Sequence, residues 1–304
     1  RNPDGSTTDL KGERDVVLEE ILRSQDNIND RKYDQLCALA YPDQPIGRPV
    51  LGTSQTLTAM TSDQLRAYRD EYYAPNNVVF VAAGPVKHQD FADLVEKHHG
   101  DRPYNDFPEI NVPTYVGGTA YTEMKSAQLC NIMLAGDGAG TKDADFFAFE
   151  ALESILASGE SSPLSQKIVY EKGLAPGLGA GNLANNTSGL FLVIAPVQAQ
   201  DTKNFIATAY EVIKSTVDSL SEAELEAVKA QIERHTLARV ETNRGACNTY
   251  GGQMIDTGEI LTPAQISAKI QALSIEDIKR ASERVLESNP SLSMIVPAGT
   301  DPDL

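Results

Sequence analysis

The 304-residue chain is 41% hydrophobic and 23% charged, lacks Trp, and carries a formal net charge of −17 at pH 7. That composition excludes a disordered polypeptide, and the acidic excess repels phosphate backbones and anionic lipid while attracting cationic ligands or basic peptides. No run approaches the ~20 consecutive apolar residues of a membrane-spanning helix, so neither nucleic acid nor a membrane span is expected.

The length suits two domains of ordinary size. Cys37, Cys130 and Cys247 are odd in number and widely spaced, which provides neither a disulfide framework nor a CxxC metal knuckle. Free thiols fit a cytoplasmic-type compartment, although such a chain can also live in the periplasm. Arg1-Asn2-Pro3-Asp4-Gly5 has no apolar signal-peptide core.

In chain order, residues 12–40 read as helix, with Val16, Val17, Ile21, Tyr33, Leu36 and Leu39 apolar and a break at Asn27-Ile28-Asn29-Asp30. Tyr41 to Pro49 holds three prolines and a glycine, which specifies a loop. Thr61 or Ser62 caps a helix bearing Leu65, Tyr68 and Tyr72, which stops before Pro75. Val78 to Ala83 then reads as a buried strand, and Phe91, Leu94 and Val95 mark a further helix. Asp101 to Gly118 reads as a linker.

Beyond it come a strand at 128–134, a helix at 143–157 and an apolar strand at 190–196. Helices are predicted at 202–219, 222–243, 263–272 and 275–287, the last behind the capping box Ser274-Ile275-Glu276-Asp277. A final strand covers 292–296.

An internal repeat organises these elements. Thr61-Ser62-Asp63-Gln64-Leu65, a helix, Asn76-Asn77 and Val78 to Gly84 are mirrored by Ser274 to Ile278, a helix, Asn289-Pro290 and Met294 to Gly299. At nearly the same offset, Glu13, Val16, Val17, Glu20 and Ile21 align with Glu224, Ala227, Val228, Gln231 and Ile232. The chain therefore reads as a tandem duplication whose first copy is shorter by about a hundred residues ahead of the capped helix. A domain without its leading strands exposes sheet edge and core, so a partner is expected to stabilise it.

Glu13 and Glu20 stand almost two helical turns apart and so share one face. That geometry suits a metal ligand with a supporting carboxylate, and equally a solvated acidic face beside Arg14, Glu19 and Arg23. In the repeat, Glu20 is matched by Gln231, as expected if only the first copy uses that carboxylate. His88, Asp93, His98 and His99 form a weaker metal candidate, because adjacent histidines on a helix point to different faces. Gly136 to Lys142 lacks the spacing of a phosphate-binding loop and reads as a plain connection.

Glu13-Arg14-Asp15-Val16-Val17-Leu18-Glu19-Glu20-Ile21, Tyr41-Pro42-Asp43-Gln44-Pro45-Ile46-Gly47-Arg48-Pro49-Val50-Leu51-Gly52 and Tyr72 to Gly84 together resemble the pitrilysin and mitochondrial-processing-peptidase (insulinase-type) zinc metallopeptidase family. The resemblance implies an α+β fold of two homologous domains, each an antiparallel sheet with helices packed on one face. The first, residues 1–105, is N-terminally truncated; 106–118 is the linker and 119–304 the second, non-zinc domain. By the same resemblance Glu20 is the third zinc ligand and Glu13 the supporting carboxylate. The family's His-x-x-Glu-His, which supplies the histidine ligands and general base, does not occur among the four histidines His88, His98, His99 and His235.

The family's second domain often holds substrate with an Arg and a Tyr; here Tyr170-Glu171-Lys172-Gly173-Leu174-Ala175-Pro176 has neither in place. Expected, therefore, is a fragment of a zinc-dependent endopeptidase, inactive alone, or a non-catalytic partner or scaffold subunit of the same fold. Its expected partners are an extended or basic peptide and a family member in a homo- or hetero-oligomer. The resemblance leaves the compartment open between bacterial cytoplasm or periplasm and the mitochondrion.

Overall fold

The computed structural model describes residues 10–107 and 111–302; the first nine residues and part of the expected linker lie outside the described residues. In chain order the first helices are α1 (Leu10–Asp26), α2 (Ile28–Ala40), α3 (Ser54–Ala59), α4 (Ser62–Tyr72), α5 (His88–His99) and α6 (Phe146–Ala157). The later ones are α7 (Thr202–Asp218), α8 (Glu222–Arg239), α9 (Asn243–Thr257), α10 (Pro263–Gln271) and α11 (Ile275–Glu287). The strands are β1 (Gly118–Met124), β2 (Cys130–Gly138), β3 (Gly179–Ala184), β4 (Gly189–Val197) and β5 (Ser291–Pro297).

Local chemistry sets most boundaries. The long opening helix is divided at Asn27, whose extended backbone and side-chain oxygen cap α2 by accepting from the amides of Asn29 and Asp30. Reciprocal capping boxes start α4 at Thr61/Gln64 and α11 at Ser274/Asp277, so the repeated sequence signal is also a repeated structure. The helix expected over 222–243 ends at Arg239, and Thr242 begins α9 by accepting from the Gly245 amide.

Three elements depart from expectation. Val78 is extended (φ −128, ψ 132), but residues 78–83 form no strand ladder among the described residues. A strand is defined by its neighbours, and an apolar run without them stays merely extended. β1 emerges at the end of the expected linker, and β3 is built from Gly-Ala-Gly-Asn-Leu-Ala, which carries no β-branched signal.

Contacts gather the chain into two units interleaved in sequence. One comprises Arg1–Asp26, Pro49–Asn111 and Arg239–Ile260; the other comprises Asn27–Arg48, Val112–Ala238 and Leu261–Leu304. A single cut at 106–118 would not separate them, because α2 is grouped with the later sheet and α9 with the earlier helices. Within the first unit, α1 packs with α3 and Arg14 Nη2 donates to the Met60 carbonyl at 2.6 Å.

The second unit is an α+β body on a five-stranded sheet of order β1-β5-β2-β4-β3. All neighbours are antiparallel except β1 and β5, a parallel pair made possible by the long stretch of chain between them, which carries β2, β3 and β4 as well as helices. Register builds the core in rows: Ile132 lies between Ala195 and Met294, and Leu134 between Val193 and Leu292. These side chains join Phe149, Leu152, Phe205 and Ile278 from α6, α7 and α11 in one buried cluster.

Alternate residues point the other way. Met133, Ala135, Leu190 and Leu192 meet Leu36, Ala40 and Tyr41, so α2 covers the second face in addition to the expected helical layer on the first. Gln35 pins it there: its Nε2 donates to the Ala120 carbonyl at 2.7 Å, and Thr122 Oγ1 donates to its Oε1 at 2.7 Å.

Candidate functional site

The sequence-predicted site begins on α1, in the first unit. Glu13 and Glu20 are both exposed, while Ile21 is buried and Arg14 anchors the helix through Met60. Seven residues at 1.5 Å rise place the two carboxylates roughly 10 Å apart along the axis, on one side of the helix. Glu19, one residue from Glu20, is taken by an exposed ion pair with Arg23 at 3.3 Å.

No set of three or more His, Cys, Asp and Glu side chains that could hold a metal ion occurs among the described residues. Zinc in protein sites takes at least three protein ligands; the carboxylates of α1 do not by themselves fit it. The histidines do not supply the rest. His88 and His98 stand exposed on α5, His99 stacks against Phe80 with ring centroids 4.6 Å apart, and His235 is exposed on α8. Asp93, the carboxylate of the weaker candidate, accepts from Gln89 Nε2 at 2.7 Å.

The signature loop at 41–52 is structural. Tyr41 is buried, donates from its hydroxyl to the Gly189 carbonyl at 3.0 Å, and meets Tyr115 edge-on at 6.1 Å. Burial pushes its hydroxyl up to about 12, which keeps it a donor at every physiological pH. The loop then folds back so tightly that a Cβ at Gly47 would lie 2.1 Å from the Tyr41 carbonyl oxygen.

The connection at 136–142 is held by Arg284 of α11. Its Nε donates to Asp137 at 2.8 Å, its Nη1 to Asp143 at 2.6 Å and its Nη2 to the Gly138 carbonyl at 2.6 Å. Burial pushes the Asp143 carboxyl up, but the hydrogen bonds from Arg284 and the Asp145 amide, with the charges of Arg284 and Arg280, outweigh it and hold the group below the ordinary range. Arg284 thus clamps the connection to α11.

Two features escaped sequence reasoning. Ser165–Glu171 winds as a π-helix, a form concentrated at functional positions. It delivers Lys172, whose Nζ donates to Thr208 Oγ1 at 2.8 Å, into the segment where the expected Arg and Tyr are absent. Nothing in the composition of 165–171 marks an i→i+5 turn. The other is a concavity of about 300 Å³ lined by Arg69, Asp70, Tyr73, Ala74, Arg102 and Pro103. Its arginines are engaged, Arg69 with Asp70 and Arg102 with the Tyr73 carbonyl.

Comparison with known proteins supplies what these side chains alone do not. Residues 59–232, more than half of the chain, match the family model described as the peptidase M16 inactive domain. Glu13 and Glu20 lie outside that match. The β subunit of the mitochondrial-processing peptidase of Lentinula edodes is 27% identical over 295 residues, covering 91% of this chain and 63% of that protein. An uncharacterized zinc protease of Bacillus subtilis is 26% identical over 301 residues, covering 97% and 72%. This chain therefore spans about two thirds of the length of such relatives.

Among solved structures, a protease from Helicobacter pylori superposes with a TM-score of 0.83 at 20% identity, covering 96% of this chain and 73% of that one. A chain of complex III2 from Candida albicans gives 0.83 at 17% identity, covering 95% and 72%. Both are likenesses of fold. With more than half of its length matched by the family model, the chain belongs to the peptidase M16 inactive-domain family.

Proposed function

We propose that these 304 residues are part of a zinc-dependent endopeptidase and do not hydrolyse peptides alone. In this reading Glu20 is a metal ligand and Glu13 its supporting carboxylate, with the imidazole ligands contributed from outside the chain. The observation that carries it is the placement of both carboxylates on one exposed face of α1, inside the segment that resembles the zinc-bearing peptidases. Relatives named as zinc proteases and as a processing-peptidase subunit support the reading.

The same proposal divides the chain by descent into copies at 1–105 and 119–304 joined by 106–118. Its substrate is an extended, basic peptide, drawn by the charge of −17. Its setting is a homo- or hetero-oligomer with a family partner, in a bacterial compartment or the mitochondrion. No helix among the described residues is long and apolar enough to cross a membrane.

The test is zinc stoichiometry and peptide hydrolysis in the complete gene product, with Glu20→Gln beside it. Loss of bound zinc and of turnover is expected; unchanged zinc content in the variant would remove Glu20 from the site. A second reading, a non-catalytic scaffold subunit, is favoured by the departure at Tyr170 to Pro176 and by the fold likeness to a complex III2 chain. A zinc-free, inactive gene product that co-purifies with a family member would establish it instead.

A further inference from the structure

We infer that Glu153 on α6 closes the outer edge of β3 to strand addition, so that an extended peptide pairs there only once this carboxylate has moved away. The inference does not depend on the zinc reading proposed above, because every residue it uses belongs to the second unit.

β3 ends the sheet: it pairs with β4 and has no neighbour on its other side among the described residues. The hairpin to β4 fixes which of its groups face outward. The Asn185 amide donates to the Ser188 carbonyl at 2.8 Å, so residues 185 and 188 form a hydrogen-bonded pair. From there bonded and non-bonded pairs alternate along the register. Leu183 and Gly181 therefore turn amide and carbonyl toward β4, while Ala184, Asn182 and Ala180 turn theirs away from it.

Nothing in the strand's own sequence protects that edge. Gly-Ala-Gly-Asn-Leu-Ala carries no charge and no proline, its register runs without a bulge, and none of its six residues is fully buried. A regular, uncharged edge of this kind is a template for another strand.

The protection comes from α6, which packs along β3. Glu153 Oε2 accepts from the outward amide of Asn182 at 3.1 Å, the middle one of the three outward residues. Gly181 makes room for it, since a Cβ there would lie 3.1 Å from the same carboxylate oxygen. The amide is held in place from the other end of its residue. Asn182 Oδ1 accepts from the Ala139 amide at 3.1 Å, and Asn182 Nδ2 donates to the Ala139 carbonyl at 2.9 Å. An added strand must offer its own carbonyl to the Asn182 amide, which sets two acceptors against one donor and brings that carbonyl against a carboxylate oxygen. Pairing therefore first requires the charge-assisted bond from Asn182 to be given up.

The probe is a ten-residue Thr-Val repeat peptide, acetylated and amidated, titrated into the full 304-residue chain while the Ala180, Asn182 and Ala184 amides are followed by NMR. Glu153→Ala should tighten its binding at these amides by about tenfold, the worth of one hydrogen bond to a charged group. Glu153→Gln, which keeps an oxygen acceptor, should stay within about twofold of the parent. Perturbation of the same amides in Glu153→Ala that grows with chain concentration, without peptide, would make a second copy the added strand and supports the closure equally. Equal affinity in the parent and Glu153→Ala overturns the inference, as does peptide binding that leaves the three amides unmoved. A Glu153→Gln chain as open as Glu153→Ala also overturns it, because the hydrogen bond would then not be what closes the edge.

Discussion

Gln35 Nε2 donates to Ser293 Oγ at 3.0 Å across a sequence separation of 258 residues, and Ser293 Oγ in turn donates to the Lys32 carbonyl at 2.8 Å. One side-chain amide therefore fastens α2 to the inner strand β5 and, through Ala120 and Thr122, to the edge strand β1. Gln35→Ala leaves these groups without their partner under a packed helix and should cost about 2 kcal/mol. Urea unfolding of the second unit would show the midpoint fall with little change in slope.

The turn after α2 admits no side chain at Gly47, because the obstructing atom is backbone, the Tyr41 carbonyl oxygen. Gly47→Ala should destabilise by about 3 kcal/mol or more through forced movement of the loop. Tyr41→Phe, which removes only the hydroxyl bonded to Gly189, should cost about 1 kcal/mol. Thermal melts of the pair should keep that order.

In the core, Leu134 lies between Val193 and Leu292 and is almost fully buried. Leu134→Ala should lose about 3 kcal/mol, the transfer term plus the cavity. Leu65→Ala on exposed α4 should stay within about 0.5 kcal/mol. Equal losses at the two positions would contradict the assigned core.

The Arg284–Asp143 pair gives a pH signature. The folded carboxyl of Asp143 lies below its ordinary value, so its contribution is fully present above the unfolded pKa and is lost as pH falls through the folded one. Arg284→Met should cost about 2 kcal/mol at neutral pH. The difference from the parent chain should shrink on acidification below about pH 4. Denaturant midpoints measured from pH 7 downward would reveal this convergence.

For the carboxylates of α1, Glu13→Gln and Glu20→Gln in the 304-residue chain should shift the melting temperature by no more than about 1 °C, since both are exposed. A large loss in either would assign that residue to folding rather than to a site.

Much of this protein was legible in its residues. Thr61 and Ser274 announce helix starts because a capping side chain bonds an amide three positions ahead, an interaction wholly local in sequence, whereas Asn27 read only as a break and its capping of α2 came from the structure. The apolar rows of β2, β4 and β5 are likewise written in their composition, and the repeat and the resemblance led to the family. β3 was not legible, since Gly179, Ala180 and Gly181 become a strand only by pairing with β4.

Nor could sequence place α2 on one sheet and group α9 with the other unit, for an amphipathic face specifies that it will be buried, not against what. The spacing of Glu13 and Glu20 put both on one helix face without deciding their surroundings. Periodicity and capping are properties of neighbours along the chain. Strand partners, the covered face of a sheet and the assembly of a metal site depend on groups far apart in sequence, and only the tertiary structure brings those together.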